Sequence, residues 1–297
     1  MKTQYTMIEF RPAVRSIITE AEGIIGEYEK MGLSLTLRQL YYQFVSRGRI
    51  QNCEREYKRL GTIINDARMA GLIDWNSIED RTRFLRQRPH WESPAEIIRT
   101  CADQYHTDWW STQPYHVEVW VEKDALVGVI ESACNPLDVP FFSCRGYTSQ
   151  SEMHVAAMRL LHYSRRGQEV RIIHLGDHDP SGKDMTRDIL DRLRVFMLHH
   201  GGDVEVERIA LTMEQVREYN PPPNPAKVTD SRAAAYIAEF GDESWELDAL
   251  QPDMLVKLIQ STISKYVDVV RMKDAKADEN RGRVRLVELA DEEEGNG

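Results

Sequence analysis

Apolar side chains recur at helical spacing through the first third of the chain. Val14, Ile17, Ile18, Ile24, Ile25 and Tyr28 share one face of a segment over residues 11–31, which Met31-Gly32 ends. Thr36 then reads as the N-cap of a second helix, running through Leu37, Leu40, Tyr41, Phe44 and Val45 to a stop at Gly48. A third helical pattern spans residues 54–69, with Tyr57, Leu60, Ile63, Ile64 and Ala67 on one side. Gly71-Leu72-Ile73-Asp74-Trp75 leads from it into a short, basic, extended stretch over residues 78–84. Three helices followed by a hairpin-like stretch predict a helix-turn-helix unit with a wing.

The pattern breaks at Arg88-Pro89-His90-Trp91-Glu92-Ser93-Pro94, where we place a linker, followed by a helix over residues 94–105. Beyond it strand-like and helix-like segments alternate, at residues 115–122, 124–134, 139–144, 150–165, 170–177, 182–198 and 204–210. That alternation predicts a mainly parallel sheet with helices on both faces. Pro221-Pro222-Pro223-Asn224-Pro225 reads as a rigid connector, and helices are expected at residues 231–240 and 252–267. The final dozen residues read as disordered. The fold class is therefore α/β: a mainly helical winged-helix unit over residues 1–90, an α/β unit with C-terminal helices over 91–270, and a segment with an acidic tail over 271–297.

Composition narrows the setting. With 41% apolar and 29% charged residues the chain reads as globular, and no run of about eighteen apolar residues offers a membrane span. Residues 1–15 lack the apolar core of a secretory signal, and Cys53, Cys101, Cys134 and Cys144 form no C-x-x-C pair. A reducing, cytoplasmic setting without zinc is expected. The net charge of −10 changes meaning once divided: residues 36–90 hold 11 Lys and Arg against 6 Asp and Glu, leaving −15 for the remainder. A basic segment in an acidic chain marks either a nucleic-acid contact surface or an ordinary solvated face. Arg55, Lys58, Arg59 and Arg68 decorate the third helix, where phosphates would be met, and Arg81 and Arg83 follow in the extended stretch.

The richest chemistry lies in His174-Leu175-Gly176-Asp177-His178-Asp179-Pro180-Ser181-Gly182-Lys183-Asp184-Met185. Val170 to Ile173 before it form an apolar, strand-like run, and open α/β sheets place ligands at the carboxyl ends of their strands. A D-x-D after a strand is also what a turn with an Asp N-cap looks like. About fifty residues earlier Val117-Glu118-Val119-Trp120-Val121-Glu122-Lys123-Asp124 makes a second strand ending in an acid. Glu122, Asp177 and Asp179 on one sheet edge favour a hard divalent cation, with magnesium the usual occupant. His178 is expected to face solvent rather than the metal. Lys123 and Lys183 are either phosphate contacts or surface lysines.

An acid on one strand and D-x-D-P-x-G on a later one resemble the Toprim domain of topoisomerases, DnaG-type primases and several nucleases, over about residues 115–211. A second motif extends the resemblance. Leu37-Arg38-Gln39-Leu40-Tyr41-Tyr42-Gln43 lies on the second helix. Tyr41 continues the apolar stripe and reads as core. Tyr42 is displaced toward solvent with Arg38 one turn behind it, and on spacing alone it is a half-buried helix tyrosine. A winged helix carrying R-x-x-Y-Y before a Toprim domain is similar to the A subunit of topoisomerase VI and its relatives, among them the protein that makes meiotic double-strand breaks and short stand-alone members in phages and plasmids. Gly146-Tyr147 and Trp245-Glu246-Leu247-Asp248-Ala249-Leu250 resemble further family segments, so the similarity spans most of residues 30–265.

The resemblance implies a DNA topoisomerase or double-strand-break-forming transesterase. Tyr42 is its nucleophile, Arg38 the motif arginine, and Glu122, Asp177 and Asp179 hold Mg2+, with Glu122 counted among the catalytic residues. It further implies double-stranded DNA as substrate, a homodimer in which Tyr42 of one protomer meets the metal site of the other, and a separate ATPase chain if energy is coupled, since no Gly-rich nucleotide loop occurs here. The expected location is the cytoplasm, at the nucleoid or in a phage-infected cell. Two alternatives stay open: a Toprim nuclease or primase-like enzyme that forms no tyrosine adduct, and a non-catalytic DNA-binding protein.

Overall fold

A computed structural model of the chain describes residues 2–30, 32–79, 88–226 and 232–295. One apolar core gathers around α1 (Pro12–Lys30), α2 (Leu37–Ser46) and α3 (Glu54–Met69). α2 starts where Thr36 predicts. The Thr36 hydroxyl accepts from the Gln39 amide at 3.2 Å, and the Gln39 side-chain oxygen accepts from the Thr36 amide at 2.7 Å, a reciprocal capping box. Leu40, Tyr41 and Phe44 form its buried stripe. Of the stretch over residues 78–84, where a hairpin-like wing is expected, residues 78 and 79 are described. β1 (Leu35–Thr36) pairs in parallel with β2 (Ile78–Glu79), a register open to the chain because two helices separate the strands. Residues 80–87, including Arg81 and Arg83, lie outside the described residues.

α4 (Pro94–Gln104) follows, capped by Ser93 and opened by a proline that needs no amide partner there. The chain then alternates: β3 (Tyr115–Val121), α5 (Val127–Cys134), β4 (Phe141–Ser143), α6 (Gln150–Arg165), β5 (Glu169–Leu175), α7 (Pro180–His199) and β6 (Glu205–Ala210). The four strands are all parallel, in the order β4-β3-β5-β6, which makes the molecule mixed α/β with a parallel sheet.

Strand periodicity decides what covers each face. Val117, Val119 and Val121 of β3, with Ile173 and Leu175 of β5, join a core shared with α5 and α10 (Pro252–Ser264). Trp120 and Ile172 point the other way, into a core with α6 and α7. α8 (Met213–Tyr219) follows β6, and α9 (Ala233–Phe240) lies between β7 (Asn224–Pro225) and β8 (Glu243–Ser244), which pair antiparallel. Leu33 packs against both the helical core and the α5/α10 core, joining the first unit to the second. No described helix is long and apolar enough to cross a membrane.

The C-terminal end differs from the disorder its composition suggests. α11 (Val269–Gly295) runs through the acidic tail and packs along α4. Its charges have partners: Arg99 of α4 bonds Asp291 at 2.7 Å and also holds Glu294, while Arg283 pairs with Glu279 at 2.8 Å. Glu279 is buried and accepts from the Thr107 amide at 2.9 Å and the Trp109 indole at 2.7 Å. A Cβ on Gly282 would stand 2.3 Å from the Tyr105 ring, so a glycine permits this close crossing.

The sheet buries one charged network. Glu118, 2% exposed, accepts from Arg159 at 3.0 and 2.9 Å and from the Trp120 indole at 2.9 Å, and its Oε1 lies 3.3 Å from His116 Nε2. Burial pushes this carboxyl up, but the hydrogen bonds of His116, Arg159 and Trp120 and the arginine's charge outweigh it and hold the group at about 2. Because the folded value lies below the ordinary 4.5, the stabilisation is complete above about 4.5 and is lost as pH falls through about 2. Glu118→Gln is therefore expected to cost roughly 3 kcal/mol at neutral pH. In urea titrations the wild-type advantage should shrink steadily below about pH 4.5; a difference that stays constant into acid would refute the assignment.

Candidate functional site

The sheet order places the site. β3 connects to β4 on one side and β5 lies on the other, so the strand order reverses between β3 and β5, where open α/β sheets form a crevice. Glu122 follows β3 and Asp177 follows β5 by one further residue. The pairing continues past the strands: the Glu122 amide donates to Leu175 O at 2.9 Å, and Glu122 Oε2 accepts from the Asp177 amide at 3.0 Å. Asp179 is the N-cap of α7, accepting from the Gly182 amide at 2.6 Å and the Ser181 hydroxyl at 3.1 Å. The capping reading of D-x-D and the sheet-edge reading thus hold together for this residue. A Cβ on Gly182 would lie 2.3 Å from Asp177 O and 3.0 Å from Glu122 Oε2, so the turn closes only with glycine.

These acids share a crowded field. Burial and the charge of Asp179 push Glu122 above its ordinary range, and burial with the charge of Glu122 does the same to Asp177. Two cations offset them. Lys123 reaches Asp177 at 3.1 Å, Glu246 at 2.7 Å and Asp248 at 3.2 Å; burial works against its charge, but these three carboxylates hold its pKa high. Arg208 donates to the carbonyls of Gly176 at 2.9 Å, Asp177 at 2.6 Å and Gly182 at 2.8 Å, tying the loop together from beneath.

Three carboxylates on one edge supply the hard oxygen donors a divalent cation takes, and such a cation would relieve the burial and like-charge repulsion that push Glu122 and Asp177 up. The donor set fits. The side chains do not converge as a ready-made trio: among the described residues no three His, Cys, Asp or Glu stand together as a metal site. Asp177 is held by Lys123 and by the Leu247 amide at 2.8 Å, and Asp179 by its capping bond.

A groove of about 890 Å3 runs beside this edge, lined by Arg38, Tyr42, Tyr57 and Arg68 from the helical unit and by Glu122, Lys123, Arg145 and Asp248 from the sheet unit. It brings Tyr42, Arg38 and Glu122 onto one surface, while Asp177 and Asp179 are buried. Arg38 is exposed and hydrogen-bonds Tyr42, which raises the pKa of its guanidinium, and it lies 5.9 Å from the tyrosine ring centre. Tyr41 is core, its hydroxyl directed at Asn52 Oδ1 (3.1 Å) and Cys53 O (3.2 Å). Gln39 fastens α2 to the sheet edge by donating its side-chain N–H to Ala125 O.

Other expected site residues sit differently. Arg55, Lys58 and Arg59 lie on the exposed side of α3, paired with Glu56 (3.5 Å), Glu54 (2.7 Å) and Glu56 (2.9 Å), and outside the groove lining. Lys123 is committed to carboxylates, and Lys183 rests 3.8 Å from the Phe240 ring centre. His178 does not face solvent. It turns inward, 2% exposed, with Nδ1 2.8 Å from the Tyr236 hydroxyl and a backbone bridge to Trp245. Burial lowers its pKa to about 4, so the ring is neutral. Arg145 and Arg208 carry no motif signal; Gln39 and Asp248 lie inside motifs but without a role there. No protein-family model matches the chain, and no curated protein matches it.

Gly182→Ala tests the turn. It is expected to destabilise the fold by about 1–3 kcal/mol through overpacking against Asp177 O, read as a lowered urea midpoint. A wild-type midpoint would mean that the loop has slack.

Proposed function

We propose that this chain is a DNA transesterase of the topoisomerase VI A-subunit type, with a winged-helix unit bearing the nucleophile and a Toprim-type unit bearing the acids. The observation that carries the reading is the shared groove: Tyr42, Arg38 and Glu122 line one surface, directly beside the edge that holds Asp177 and Asp179. In the reaction the Tyr42 oxygen forms a bond to a backbone phosphorus and the bond from that phosphorus to the 3′-oxygen breaks. The tyrosine proton leaves to solvent and the departing 3′-oxygen takes one up, so no proton is gained or lost overall. Arg38, 5.9 Å from the Tyr42 ring centre, can hold a phosphate oxygen beside the attacking tyrosine. Magnesium bound by Glu122, Asp177 and Asp179 would neutralise charge on the pentacovalent phosphate. Reversal by the freed hydroxyl reseals the strand.

Double-stranded DNA is the substrate in this proposal. A homodimer would cut both strands, any ATP-coupled step would come from a separate chain, and the setting would be the cytoplasm. One observation favours a second reading. Lys123 already holds Asp177, and no trio of acids stands ready for a metal among the described residues, which suits a DNA-binding protein without turnover.

The deciding assay incubates the protein with supercoiled DNA and Mg2+, quenches with detergent and looks for protease-sensitive DNA mobility. Wild type and Tyr41→Phe are expected to form the adduct. Tyr42→Phe and Asp177→Asn should lower it by about 10³-fold or more, and chelation of the metal should abolish it. Free ends that persist in Tyr42→Phe would leave a metal-dependent nuclease; salt-sensitive binding without cleavage would leave the second reading.

A further inference from the structure

Two further arginines line the groove, one from each unit, and the chemistry above gives neither a part. Arg68, half-buried, stands in the last turn of α3. Its Nη2 donates to Trp75 O at 2.6 Å and to Ile78 O, and its guanidinium lies 5.2 Å from the Trp75 ring centre. Its Nε is buried without a hydrogen-bond partner, and among the described residues no carboxylate pairs with it. A partly desolvated cation without a counter-charge is costly, and an anion in the groove would relieve it. Arg145 comes from the loop after β4. It is exposed, and its backbone is left-handed (φ 53°), which residues other than glycine rarely adopt outside functional loops. Its pair with Asp124 at 3.1 Å is exposed on both sides and is therefore readily exchanged for another anion.

The outer side of α3 is a poorer seat for a polyanion. Arg55, Lys58 and Arg59 stand there among Glu54 and Glu56, which cancel most of their charge, and none of the three lines the groove. Of the acids that do line it, Asp248 is held by Lys123, Asp124 by Arg145, and Glu79 is also engaged, while Glu122 belongs to the acid edge.

We infer that Arg68 and Arg145 hold the phosphate backbone of duplex DNA, which therefore lies in the groove and not along the outer side of α3. The inference rests on DNA being the substrate, as proposed above, but not on the tyrosine chemistry.

Binding without cleavage tests it. A short fluorescein-labelled duplex is titrated with the full chain in EDTA, by anisotropy, over a series of salt concentrations. Arg68→Gln and Arg145→Gln are each expected to weaken binding about tenfold, and each should lower the slope of log affinity against log salt by about 0.9. Arg59→Gln should change affinity less than about twofold and leave the slope in place. A slope that falls in Arg59→Gln and stays in both groove variants would overturn the inference. Should Arg68→Gln lower the urea midpoint by loosening the Trp75 segment, the exposed Arg145→Gln carries the test alone. Groove-dependent binding with no covalent adduct sinks the tyrosine chemistry and leaves the inference standing. Absence of any salt-dependent binding to the duplex overturns the inference and the choice of DNA together.

Discussion

Everything at the site follows from carboxylates forced together by a parallel strand pair. Once β3 and β5 lie side by side, their register carries Glu122 and Asp177 to the same edge, and the tight turn through Gly182 brings Asp179 close behind. Burial strengthens the repulsion among like charges and makes an unpaired one costly. The surroundings answer that demand from several directions: Lys123 from the side, the Leu247 amide from the segment that covers the loop, Arg208 from beneath through backbone carbonyls, and the first turn of α7 at Asp179. Arg208 is noteworthy for bonding carbonyls and leaving the carboxylates alone. It contributes positive charge to the acids without occupying their oxygens.

The two adjacent tyrosines show how a single residue step along a helix separates a core position from a groove position. A rotation of about 100° per residue puts Tyr41 into the core and Tyr42 at its margin. Tyr41 spends its hydroxyl on the loop leading into α3, whereas Tyr42 has a guanidinium beside it and an open groove in front. Spacing alone identified the core member of the pair. It could not tell a margin tyrosine with a site before it from one with water before it, because the difference lies in the sheet edge some eighty residues away in sequence.

The same limit separates what was legible from what was not. Local periodicity fixes elements well: the helix over residues 150–165 falls on α6, and the Thr36 cap and the strands ending in Glu122 and before Asp177 carry their own signals. Long-range partners leave no such mark. The parallel pairing of β1 with β2 is invisible in two two-residue stretches, and the end of α11 is only an acidic run until Arg99 is found alongside it. Lys123 and Arg208 are ordinary basic residues in the sequence; only the fold gives them acids and carbonyls to hold. His178 was misplaced because alternation beyond a strand end depends on what covers the loop, here Tyr236 and Trp245.

Gln39 has one amide with two ends, and both are in use. Its oxygen closes the capping box that starts α2, and its nitrogen binds Ala125 at the sheet edge. Helix initiation and the seating of one unit on the other are thus a single event for this side chain. If the groove widens to admit a duplex by swinging α2 away from the sheet, Gln39 must release Ala125, and the freed side chain loses the tether that orients it as a cap. The first turn of α2, which contains Arg38, is then the natural place for the helix to fray. Opening of the groove and loosening of the arginine beside Tyr42 would therefore occur as one motion, which in the function proposed above links entry of DNA to the readiness of Tyr42.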